Sequence, residues 1–95
     1  MSSSAIEQWY VSQCNGEWEH SYGVKIDTLD NPGWQVVIDL LDTRKQNSTL
    51  EQIKIDRTET NWIYYEVQKK QFRIACGPLN LGEAFDIFVS WFNSD

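Results

Sequence analysis

The only histidine of the chain, His20, lies in the segment CNGEWEHSYG (residues 14–23), flanked by Glu17, Trp18, Glu19 and Tyr22. Four chemistries would use such residues. A nucleophilic triad needs nucleophile, base and orienter to converge; Ser21, adjacent to His20, is a poor partner, and no G-x-S-x-G elbow occurs. A zinc site would have to gather His20, Cys14, Cys76 and a carboxylate without any of the usual paired ligand spacings. Neither G-x-G-x-x-G nor G-x-x-x-x-G-K-[ST] is present to cradle phosphate. Glu17 and Glu19 could do acid–base work, but a solvated polar loop explains them more simply. The expectation is a protein without catalysis, metal or cofactor.

Recognition fits these residues better. Tryptophan and tyrosine are enriched among interface hot spots because they offer large contact area with few rotors, and neighbouring carboxylates can meet Arg or Lys. The segment TLDNPGW (residues 28–34) adds Asp30, Asn31 and Trp34. The candidate contact residues are therefore Glu17, Trp18, Glu19, His20 and Tyr22, with Trp18 as apolar anchor, and Asp30, Asn31 and Trp34 close by. A structural alternative stands beside this. Trp18 could fold back over the sheet edge, with His20 bonded to a backbone carbonyl, and Trp34 reads as core or core edge. Trp9 and Trp91 lie on helical apolar stripes and read as core, and Trp62 is left open. Stacking on a sugar or nucleobase is the competing use of exposed aromatics.

These residues need elements to position them. Ile6, Trp9, Tyr10 and Gln13 follow helical spacing, with Ser4 and Glu7 as a capping box and Asn15-Gly16 as the stop, giving a helix over 4–14. Period-two alternation then gives five strands. Tyr22, Val24 and Ile26 face one way, and Asp30-Asn31-Pro32-Gly33 turns the chain, with glycine tolerating positive φ. Trp34 to Leu40, Leu50 to Ile55, Trp62 to Val67 and Phe72 to Cys76 follow. Asn80 caps a last helix with the stripe Leu81, Ala84, Phe85, Phe88, Trp91 and Phe92. The reading is α+β: a single domain over 1–95, with an antiparallel meander of about five strands and both helices packed on one face.

Charge and length set the boundaries. Ninety-five residues suit one modest core. Fourteen acids against eight bases leave −6, and residues 25–76 contain all eight bases and eight of the acids. The net charge thus sits on the two ends of the chain, so a layer built from both would be acidic. That balance argues against nucleic-acid binding, which needs a basic footprint, and favours a basic protein partner. No apolar run is long enough to span a bilayer, so no membrane role is expected. The first residues lack a basic n-region and apolar h-region. A cytoplasmic location follows, with Cys14 and Cys76 as two buried thiols rather than a bridge.

The run from Trp9-Tyr10 and Gln13-Cys14 through N-G-E-W-E-H-S-Y-G and T-L-D-N-P-G-W to Val36-Val37-Ile38-Asp39-Leu40 resembles the Imm53 family of bacterial immunity proteins. It covers residues 9–40, and the helix ending in Phe88, Trp91 and Phe92 fits the family's C-terminal end. The family pattern often carries Asp where this chain has Asn15 and Glu17. The resemblance implies a small cytoplasmic protein, encoded beside a polymorphic toxin, that binds and neutralises it. A nuclease is the leading candidate toxin, because nucleases are often basic.

Overall fold

The computed structural model describes residues 3–94. Helix α1 (Ser3–Gln13) leads into a single helical turn, α2 (Trp18–Ser21). Strands β1 (Val24–Leu29), β2 (Gly33–Asp39), β3 (Leu50–Thr58), β4 (Asn61–Gln68) and β5 (Gln71–Cys76) follow, then α3 (Leu81–Asn93). All five strands pair antiparallel, in the order β1-β2-β5-β4-β3.

That order corrects the simple meander. Three links are tight: 30–32, 59–60 and 69–70. The β2–β3 link, residues 40–49, is long enough to carry β3 to the far edge. β4 and β5 then fold back, and β5 fills the place beside β2, so the fifth strand lies at the centre, between the second and the fourth. The link is anchored as it crosses: the buried Thr43 hydroxyl donates to the Leu40 carbonyl at 2.7 Å. Arg44 donates to the Phe92 carbonyl and lies 4.8 Å over the Phe92 ring, and Lys45 Nζ lies 4.8 Å over Trp91. The last turn of α3 has no basic residue of its own; Arg44 brings the missing cation to its free carbonyls.

One sheet face alternates Val36, Ile38, Ile63, Val67, Phe72, Ile74 and Cys76 inward, all buried. Phe85, Phe88 and Phe92 of α3 press on it, and α1 packs against α3 in the same layer through Trp9, whose ring meets Phe88 edge-on at 4.7 Å. Burying a side chain such as Phe88 contributes about 1.5–3 kcal/mol. Both cysteines are free thiols; Cys76 is buried, whereas Cys14 is half exposed.

Local chemistry departs from expectation at four places. Helix α1 begins at Ser3, so Ser4 lies inside it, and the position that would cap it falls outside the described residues. Gly33 has no positive φ and opens β2; it is needed for close packing, since a Cβ there would press into the Cys76 carbonyl. Lys69 and Lys70 turn the β4–β5 hairpin with φ of 55° and 60°, a left-handed pair usually filled by Asn-Gly. Asn80 does precede α3, but its buried side chain caps no helix N–H. It instead accepts from Trp62 N at 3.4 Å and donates to Asn61 and Glu83, both at 3.0 Å, tying α3 to β4.

Candidate functional site

The eight candidate contact residues fall into two groups at opposite ends of the sheet. β1 runs between them: Val24 pairs with Ile38 at one end and Leu29 with Gly33 at the other. Six residues at a rise of about 3.3 Å separate the groups by roughly 17 Å.

The first group is the corner between α1 and β1. Asn15 Oδ1 accepts from Glu17 N and Trp18 N, both at 2.9 Å. Glu19 answers by accepting from Asn15 N at 2.9 Å and Gly16 N at 2.8 Å. This reciprocal arrangement works as a capping box, with Gly16 at φ 92° closing the turn. An Asp at position 15 could accept the same two bonds. The N–H groups around Glu19, its own first and then those of Asn15 and Gly16, hold its carboxyl below the ordinary carboxylate value, with His20 adding a smaller attraction. Trp18 is only 3% exposed, and its indole N–H donates to the Leu41 carbonyl at 2.8 Å. It meets Trp9 edge-on at 5.8 Å and tilts against the half-buried Tyr22 at 6.1 Å. Of the two roles open to Trp18, the structure shows the folded-back one. His20 remains exposed, as does Glu17.

The second group is at the β1–β2 turn, where Asp30 and Asn31 are exposed. Trp34 is on the core face, half buried, with its indole N–H on the Pro78 carbonyl at 3.0 Å. The register brings the β3–β4 turn to this same end. There Asn31 joins Trp62, which the sequence left open, and residues that sequence reasoning passed over. Asn31, Asp56, Thr58, Glu59, Trp62 and Tyr64 line a depression of about 270 Å³ on the uncovered sheet face. The Trp62 and Tyr64 rings form its floor, 5.1 Å apart and tilted by 47°. Gly33 makes room for the indole: a Cβ there would stand 3.4 Å from it. The Tyr64 hydroxyl donates to Asp56 Oδ1 at 2.6 Å, and this bond raises the phenol's pKa. The missed signal was alternation in β4: with Ile63 and Val67 in the core, Trp62 and Tyr64 must face the other way.

The charge layout also differs from expectation. The helical layer does hold exposed Glu7 and Asp86, but bases from the middle of the chain fold onto it. Arg57 forks onto Glu83 at 2.9 and 2.7 Å, holding that carboxyl below its ordinary value, and Arg44 and Lys45 cover the end of α3. Among the described residues, no group of His, Cys, Asp and Glu is arranged to hold a metal.

The family model described as Immunity protein 53, Imm53, matches residues 3–93. The chain belongs to the Imm53 family. No curated protein and no solved structure matches it. The Imm53 match takes in both ends of the sheet, so the α1–β1 corner and the Trp62–Tyr64 floor are both parts of the family domain. No described helix is long and apolar enough to cross a membrane.

Proposed function

We propose that this Imm53 protein neutralises a toxin encoded beside it by binding it one to one in the cytoplasm, without turnover. The observation that supports this reading most is the family match over nearly the whole described chain. The net charge of −6 supports a basic toxin, because opposite charge accelerates encounter. Nucleases often carry that charge, since their substrate is polyanionic, which supports a nuclease as the toxin. A standard interface of about 800 Å² per partner would take roughly one-seventh of the 5944 Å² surface. Glu17, His20, Asp30 and Asn31 are the sequence-selected residues exposed enough to join it. Trp18 and Glu19 hold the α1–β1 corner in shape, and Trp34 holds the β1–β2 turn from within.

Co-expression with the neighbouring toxin should restore growth, and calorimetry of the purified pair should give a one-to-one complex weakened by salt. A toxin that kills equally with and without the protein, and shows no binding, would end the immunity reading. The Trp62–Tyr64 floor favours a second reading, a module stacking a sugar or nucleobase. A saturable change in tryptophan fluorescence with such a ligand, in a protein that ignores the toxin, would select it.

A further inference from the structure

The aromatic floor lies on the sheet face that neither helix covers, and its hydrogen bonding sets it apart from the other strand and corner tryptophans. The indole N–H groups of Trp18 and Trp34 each donate to a backbone carbonyl. Trp62, half exposed, donates to none of the described residues, so its indole N–H is unspent. The residues around the depression include two carboxylates and no base. Lys54 stands to one side, its Nζ 5.5 Å over Tyr64. The tyrosine hydroxyl occupies one oxygen of Asp56, which fixes the carboxylate and leaves the other oxygen able to accept.

Two properties identify the occupant. Indole is the strongest aromatic partner for a cation, and a guanidinium can lie flat on the ring while its N–H groups fork onto carboxylates, which an ammonium cannot do. The depression, at about 270 Å³, falls below the usual range of roughly 300–1,000 Å³ for small-molecule pockets; it suits the head of one long side chain. Resting on the immunity reading, we infer that the toxin seats an arginine here, its guanidinium against Trp62 and its N–H groups on Asp56 and Glu59. The site is then the anchor of the interface, and the acidic rim selects a basic partner. Asn31 adds an amide from the β1–β2 turn, which places one of the sequence-selected residues at this anchor and leaves Glu17 and His20 outside it.

The test has two arms. In the first, the ¹⁵N-labelled full chain is titrated with N-acetyl-arginine amide, its citrulline counterpart, its lysine counterpart, adenosine and glucose. The arginine compound should move the Trp62 indole resonance saturably, the lysine compound less, and the neutral citrulline compound not at all. Asp56→Asn with Glu59→Gln should abolish the response while the rest of the spectrum stays in place. An unmoved Trp62 resonance, or a stronger response to adenosine or glucose, overturns the proposal. In the second arm, affinity for the toxin is measured for the wild type, Glu59→Lys and Trp62→Leu. Hot-spot behaviour means a loss of about thirty-fold or more in both variants. Toxin binding that is equally tight in wild type and variants overturns this site alone, whereas a wild type that binds no toxin overturns the immunity reading itself.

Discussion

At each end of the sheet a tryptophan sits beside carboxylates, and the two ends use it in opposite ways. At the α1–β1 corner the ring of Trp18 is buried, its N–H is bonded to Leu41, and Glu19 is occupied by two backbone N–H groups. At the β3–β4 turn Trp62 is half exposed, its indole N–H has no acceptor among the described residues, and Glu59 is exposed. Similar residue types thus make a structural pin in one place and an open surface in the other. What separates them is what is already spent: at the corner the ring is buried and Glu19 is tied to backbone N–H groups, while at the β3–β4 turn a half-exposed ring and the exposed carboxylates of Asp56 and Glu59 are open to a partner. The five tryptophans are therefore not one reservoir of hot spots.

The largest expected effect probes this contrast directly. Trp18→Ala should destabilise the fold by about 3–5 kcal/mol, since it opens a core cavity and leaves the Leu41 carbonyl unpaired. Trp62→Ala, at a half-exposed position, should cost about 1 kcal/mol. Urea melts of the two variants check this, and equal losses would break the comparison. The burial of Trp18 is why its removal is expected to cost stability, as that of a surface anchor would not.

Next in size is Gly33→Ala, for which about 1–3 kcal/mol is expected from overpacking against the Cys76 carbonyl. Because the new methyl also meets the Trp62 indole, its fluorescence should shift along with the thermal midpoint. Asn15→Ala removes a cap and should cost about 1 kcal/mol. Its effect should be confined to the corner, so amide exchange should quicken around residues 15–19 and not around 56–64.

The smallest effects are pH-dependent. The Glu19 and Glu83 carboxyls are held below their ordinary value of 4.5, so they stabilise the fold above that pH, and the contribution is lost as pH falls through the lowered values. Glu19→Gln and Glu83→Gln should each flatten the acid limb of a stability–pH curve. Burial pushes the Cys76 thiol from 9.0 up to about 11. Its contribution is present below pH 9.0 and is lost as pH rises toward 11; Cys76→Ala should flatten the alkaline limb.

Much of the fold was legible because periodicity reports which face is buried. The strand alternation, the Phe85–Phe88–Phe92 stripe and the hairpin at Pro32 all follow from it. Strand order was not legible, because the reach of the 40–49 link depends on anchors such as Thr43 and Arg44 that meet partners distant in sequence. The Lys69-Lys70 turn carries no glycine or asparagine to announce its left-handed backbone. The depression was legible only in pieces. Asn31 could be read from the turn, but Asp56, Glu59, Trp62 and Tyr64 join it only through pairing across the sheet, which local sequence does not encode. Trp18 misleads for the opposite reason: a tryptophan between two glutamates looks exposed until the carbonyl of Leu41 is placed beside it.

Hydrogen exchange of the protein alone and in complex with its toxin tests the central claim most directly. Protection that grows at residues 30–33 and 56–64, with 15–22 unchanged, is the predicted footprint. Protection concentrated at 15–22, with the Trp62–Tyr64 face unaffected, would contradict it.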